Sequence, residues 1–162
     1  MRFMTSREHS PVTEAHLHRS IQDLFIAGTE TVNTTLKWCL LFMSLHQDVQ
    51  SRVQCEIDDV IGRSRFPTMK DRINMPYTGA TIMECQRLGN IALFSVPRCT
   101  TEATSLNGYV IPAGTWVFVN RWGVHMSEKY WDKPRLFDPT RFLTKDNVTY
   151  TPDGFVPFGI GE

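Results

Sequence analysis

From about Glu14 to His46, apolar residues return at steps of three and four: Leu17, Ile21, Leu24, Phe25, Val32, Leu36, Cys39, Leu40 and Met43. That periodicity predicts one continuous helix. It exceeds the ordinary globular range and lacks a coiled-coil heptad, so the expectation is a helix running through the middle of a larger body. Thr13 is the expected cap residue, with Glu14 in the first turn, where its charge suits the helix dipole. Without segments to cover it, the helix would expose a large apolar surface, which predicts aggregation.

A second helix is expected from about Asp48 to Ile61, with Val49, Val53, Ile57 and Val60 on one stripe and Gly62 ending it. Arg63 to Met75 is polar and broken by Pro67; helical patterning resumes from Tyr77 to Gly89. Strand character follows. Ala103–Leu106 and Tyr109–Ile111 flank Asn107-Gly108, a strong hairpin signal. Pro112-Ala113-Gly114 turns the chain again, and Trp116–Val119 is expected as a further strand. Trp122–Trp131 suggests a short helix. From Lys133 onward there is little periodicity, and a tail this long without regular structure argues that something else, such as a cofactor, organises it. The fold class is α+β, mainly α: a long central helix, further helices and a small antiparallel hairpin sheet.

Lysine plus arginine number 17 and aspartate plus glutamate 17, so no electrostatic footprint for nucleic acid is present. Cys39, Cys55, Cys85 and Cys99 show no C-x-x-C pair or metal-ligand spacing, and suit free thiols in a reducing compartment. His16 and His18, two apart on a helix, point to different faces and make a poor metal pair. Met1 to Met4 is followed by polar residues rather than a leader's apolar core, and no apolar run approaches a membrane span. The segment therefore reads as soluble, with any anchor outside it.

Three constellations can carry chemistry. In Ala27-Gly28-Thr29-Glu30-Thr31, a mid-helix glycine costs about 1 kcal/mol relative to alanine and asks for a reason. Close approach of a flat ligand and tight helix packing both supply one. Thr31 lies four residues after Ala27, within reach of its carbonyl, and Glu30 could feed protons from solvent. In Glu84-Cys85-Gln86-Arg87 the charges sit side by side on a helix. Alone they form a common surface pair, but Arg141 in the Phe137–Phe142 stretch could close them into a buried triad. Last, Pro157-Phe158-Gly159-Ile160-Gly161 suits a tight loop against a ring system, or an ordinary turn.

The A-G-x-E-T helix segment, the E-x-x-R helix, the x-x-R-F element and the F-G-x-G loop start occur here in the order found in cytochromes P-450. Asp23–Thr31, Pro76–Glu84 and Gly108–Thr115 also resemble microsomal, family-2-like members. The resemblance covers essentially residues 1–162, as a partial domain from the central helix to the start of the haem-binding loop, with the N-terminal half and C-terminal end missing.

That resemblance implies a haem-thiolate monooxygenase, inserting one oxygen atom of O2 into a lipophilic substrate such as a fatty acid, steroid or xenobiotic. Electrons would come from NADPH through NADPH-cytochrome P-450 reductase, on the cytosolic face of the endoplasmic reticulum membrane, with an absent N-terminal segment as anchor. Thr31 would hold the water that delivers protons to oxygen, with Glu30 in the proton supply. Ala27 would lie over the haem and Gly28 would leave room for oxygen. Arg98 would pair with a propionate, and Phe158 and Gly161 would belong to the haem loop. Ile26, Ala92 and Val96, with Ala27 and Thr31, would contact substrate. Glu84, Arg87 and Arg141 would be a structural triad.

None of the four cysteines occupies the ligand position, so the axial cysteine, and with it the metal site, is expected beyond Glu162, leaving the isolated chain inactive. Two alternatives belong beside this: a haem-thiolate isomerase of the same fold, whose members tend to lose the acid–threonine pair, and a non-catalytic remnant that binds a partner.

Overall fold

The computed structural model describes residues 13–159; the reading of Met1 to Met4 lies outside them. Helix α1 spans Glu14–Leu45, α2 Gln47–Val60, α3 Pro76–Leu88 and α4 Arg121–His125. Strands are β1 Arg98–Cys99, β2 Thr104–Leu106, β3 Tyr109–Ile111 and β4 Trp116–Val117, and 3-10 turns occur at Asp71–Asn74 and Pro139–Phe142. The described residues are mainly helical, as the apolar periodicity predicts. The chain divides into two compact units, residues 1–34 and 35–162.

The first unit, as described, is the N-terminal part of α1. The Thr13 hydroxyl accepts from the His16 amide at 3.3 Å, and the Thr13 carbonyl accepts from Leu17, so the cap forms where expected. No residue of α1 is buried. Leu17, Leu24, Phe25, Ile26 and Val32 stand exposed along it.

In the second unit α3 is the organising element. Pro76 opens it, where a missing amide hydrogen costs nothing. Its first amides are capped from another helix: Glu56 of α2 accepts from Tyr77 N at 2.9 Å, Thr78 N at 2.7 Å and Thr78 Oγ1 at 2.6 Å. Helix α2 ends at Gly62, whose φ of +71° and bond to the Ile57 carbonyl make the left-handed stop. Between them Asp71 accepts both terminal nitrogens of Arg65 at 2.8 Å and the Thr68 amide at 2.7 Å. Arg65 first and the Thr68 amide next hold that carboxyl well below its usual range.

The core gathers Ala80 of α3 with Trp131 and Phe142, flanked by Met83, Leu143 and Phe155. Phe142 meets Phe155 edge-on at 4.9 Å and tilts against Trp131 at 5.5 Å. The end of α1 joins through rings: Phe42 and His46 each stack on Phe137 at 4.7 Å.

The β structure consists of two antiparallel pairs among the described residues. Strands β2 and β3 form the predicted hairpin, Leu106 opposite Tyr109, with Asn107 and Gly108 both at positive φ (50° and 84°) as a type I′ turn requires. Trp116–Val117, however, leaves the hairpin and pairs antiparallel with β1 as a second sheet, Arg98 opposite Val117. The Pro112–Thr115 turn directs it there, bonded through Thr100 Oγ1 to the Pro112 carbonyl at 2.7 Å and the Thr115 amide at 2.9 Å. The helix expected over Trp122–Trp131 is only α4; beyond Met126 the chain tightens into turns closed on Ser127.

Candidate functional site

Glu84 and Arg87 are fully buried, one turn apart on α3. Arg87 Nε donates to Glu84 Oε2 at 2.7 Å and Nη2 to Oε1 at 2.8 Å, a two-pronged pair. Arg141 Nε donates to Oε1 at 3.2 Å, and so does the Asp138 amide at 2.9 Å. The remaining guanidinium donors take backbone carbonyls: Arg87 those of His125, Pro134 and Leu136, Arg141 those of Asp132 and Leu136. Both cations also lie over the Trp131 ring. Part of the patternless tail is organised from within the chain. The stretch from Asp132 to Asp138 has no ladder partners of its own, and this ion cluster meets its carbonyls and amide.

Beside the cluster, His125 is buried and stacks on Phe155 at 6.0 Å. Its Nε2 accepts from the Val156 amide at 3.0 Å, so the neutral ring carries its proton on Nδ1. The Asn90 amide, 3.3 Å from Nδ1, is satisfied when its oxygen faces the ring. Burial, followed by the nearby charge of Arg87, lowers the His125 pKa to about 4.

One functional side chain was not anticipated. Arg121 is buried, donates from Nη2 to the Phe94 carbonyl at 2.9 Å and from Nη1 to that of Pro157, and leaves Nε without a partner among the described residues. It ties the Ala92–Val96 segment to the start of the Phe158 loop. The same segment is bound to the end of the Trp116–Asn120 stretch, by Ser95 N to the Val119 carbonyl at 3.0 Å and Trp122 N to that of Leu93 at 3.1 Å. The available signal was a charge two residues after the apolar run Val117-Phe118-Val119.

The anticipated site residues fall into two groups. On α1, Ile26, Ala27, Gly28, Glu30 and Thr31 all lie on exposed helix surface. Thr31 Oγ1 donates to the Ala27 carbonyl at 2.8 Å, and a Cβ added at Gly28 would meet nothing within 4 Å. Within the described chain, then, tight packing is not the reason for that glycine. In the second unit, Ala92 is half-buried, and Val96 and Phe158 are 82% and 86% exposed. Arg98 is exposed on β1, without a side-chain partner among the described residues. Gly161 lies outside the described residues.

The cytochrome P450 family model matches residues 1–162. The chain is 46% identical to cytochrome P450 2U1 of Homo sapiens over 97% of its length and 29% of that protein. It is 46% identical to cytochrome P450 2D20 of Mesocricetus auratus over 96% of its length and 31% of that protein. With cytochrome P450 2J2 of Homo sapiens it shares 43% over 98% of its length and 31% of that protein. The chain belongs to the cytochrome P450 family, on the family-2 side, and spans about three-tenths of the length of these relatives.

Family membership implies haem. The residues present fit such a group. In the first unit Gly28 opens space on a helix face carrying exposed Phe25; in the second, Phe158 presents an uncovered ring and Arg98 an exposed guanidinium able to take a carboxylate. No described residue supplies the iron's thiolate from the Phe158 loop; the four cysteines lie elsewhere. No described helix is long and apolar enough to cross a membrane.

Proposed function

We propose that this chain forms part of a haem-thiolate monooxygenase that places one atom of O2 into a lipophilic substrate, a fatty acid, steroid or foreign compound. Haem, when bound, supplies the reduction and cleavage of dioxygen. The observation that carries the reading is the Thr31 hydroxyl bonded back to Ala27, one residue from the Glu30 carboxylate. With its proton committed to that carbonyl, the Thr31 oxygen faces other partners as an acceptor and is suited to hold a water. Glu30, exposed to solvent, is placed to resupply protons. Gly28 leaves room above the backbone, Ala27 keeps the adjacent face low, and Ile26, Ala92 and Val96 present apolar surface to a substrate. Arg98 would hold a propionate, Phe158 and Gly161 would line the haem loop, and Glu84, Arg87 and Arg141 brace that region from within the fold.

Electron supply from NADPH through NADPH-cytochrome P-450 reductase and residence at the endoplasmic reticulum membrane belong to the same reading. The test is carried out on the haem-loaded protein containing this sequence. A thiolate-type band on reduction under carbon monoxide, with NADPH- and reductase-dependent hydroxylation, is expected. Thr31→Ala should keep NADPH consumption while product formation falls. Rearrangement of an organic peroxide without reductase or O2 would instead identify an isomerase.

A further inference from the structure

Helix α4 carries a buried side chain at each end, and each of them joins the same two segments of chain. At its first residue, Arg121 donates to the Phe94 carbonyl at 2.9 Å and to the Pro157 carbonyl. At its last, His125 accepts the Val156 amide on Nε2 at 3.0 Å and has the Asn90 side chain 3.3 Å from Nδ1. Residues 90–94 and 156–157 are thereby spanned at two points, one helical turn apart. The start of α4 is fixed in turn, because Asn120 Oδ1 accepts from Gly123 N at 2.8 Å and the Asn120 backbone bridges to Phe94. Between the two segments lies a cavity of about 40 Å³, with Asn90 and Ile91 in its wall from one and Pro157 and Phe158 from the other.

Arg121 is an expensive residue to keep in that place. It is 6% exposed, makes no ion pair among the described residues and leaves Nε without a partner. An apolar side chain of similar volume would spare the fold that desolvation. What the guanidinium alone supplies is a rigid fork, able to hold carbonyls from two segments at once.

We propose that α4 is a bracket that sets the spacing between residues 92–96 and the start of the Phe158 loop, with Arg121 as the positioning residue on which the fit of an apolar ligand beside that segment depends. The consequence for ligand fit rests on the oxygenase reading above; the bracket itself rests on the hydrogen bonds.

The test uses the haem-loaded protein containing this sequence, unmutated and as Arg121→Lys and Arg121→Met. Lysine keeps the charge and reaches one carbonyl at a time; methionine keeps the length and reaches neither. In hydrogen exchange read by mass spectrometry, residues 92–96 and 154–159 should both exchange faster in each variant, by roughly tenfold for the loss of a charged hydrogen bond. Residues 84–87 in α3 should be unchanged. Imidazole and phenylimidazole, two iron ligands of which only the second carries an apolar group, are then titrated by the shift of the Soret band. Phenylimidazole should bind about three- to tenfold more weakly in both variants, with imidazole binding as in the unmutated protein. Faster exchange in one segment alone or in neither, equal weakening of both ligands, no weakening of either, or a lysine variant that behaves as the unmutated protein would each overturn the proposal. An unmutated protein with no Soret response to either ligand would remove the oxygenase reading and with it the consequence for ligand fit, while exchange decides the bracket by itself.

Discussion

At Glu84 one buried carboxylate accepts from two nitrogens of Arg87, one of Arg141 and the Asp138 amide. Neutralising it strands Arg87 where no water can replace the lost partner. Glu84→Gln should lower unfolding stability by about 3–5 kcal/mol, measured by urea titration. Arg141→Lys, at a partly exposed position, should cost clearly less. His125 adds a pH signature. Its pKa is about 4 when folded against an ordinary 6.5, so the unfolded chain takes up the proton first. Its contribution is complete above pH 6.5 and is lost as pH falls through about 4, reaching about 3 kcal/mol. His125→Gln should flatten that part of the stability–pH curve. The Glu84–Arg87 spacing was legible in the sequence. Its burial was not, since the carbonyls that complete it come from a stretch without pattern, and Arg121 was missed for the same reason.

Two glycines, one inside α1 and one capping α3, meet different surroundings. Gly89, just past α3, has no room for a methyl group between Trp38 and the Cys85 carbonyl. Gly89→Ala should destabilise by about 1–3 kcal/mol through overpacking, seen as a lower urea midpoint. A methyl group added at Gly28 would meet nothing within 4 Å among the described residues. Gly28→Ala should therefore raise the helicity and thermal stability of the chain, by up to about 1 kcal/mol, while lowering oxygenase activity if haem and oxygen use that space. Circular dichroism and turnover separate the two effects. Periodicity located the three longer helices to within a residue or two, because each has a marked stripe and α2 and α3 have Gly62 and Pro76 at their ends. It drew α4 and β4 too long. Elements of five and two residues are fixed by partners distant in sequence, Arg98–Cys99 in the case of β4.

For the molecule as a whole, the dominant quantity is uncovered apolar area. Leu24, Phe25 and Ile26 on α1 are 74%, 71% and 67% exposed, in a helix that buries no residue. Expressed by itself, the 162-residue chain should bind anilinonaphthalene dyes and self-associate. Leu24→Glu with Phe25→Glu should suppress both in light scattering while the buried ion cluster keeps its contribution to stability. This property was visible in the sequence, since the stripe over Glu14–His46 is too long and too apolar to be a water-facing surface.

The carboxylate of Glu56, bound to the first turn of α3, has a consequence for continuity of the polypeptide. It bridges α2 and α3 directly, so the fifteen residues between the two helices are bypassed as a mechanical link. A protease that cuts among the exposed Arg63–Met69 positions should leave two pieces that co-elute and separate only in denaturant. Insertions there should be tolerated, because the join that matters is made by a side chain.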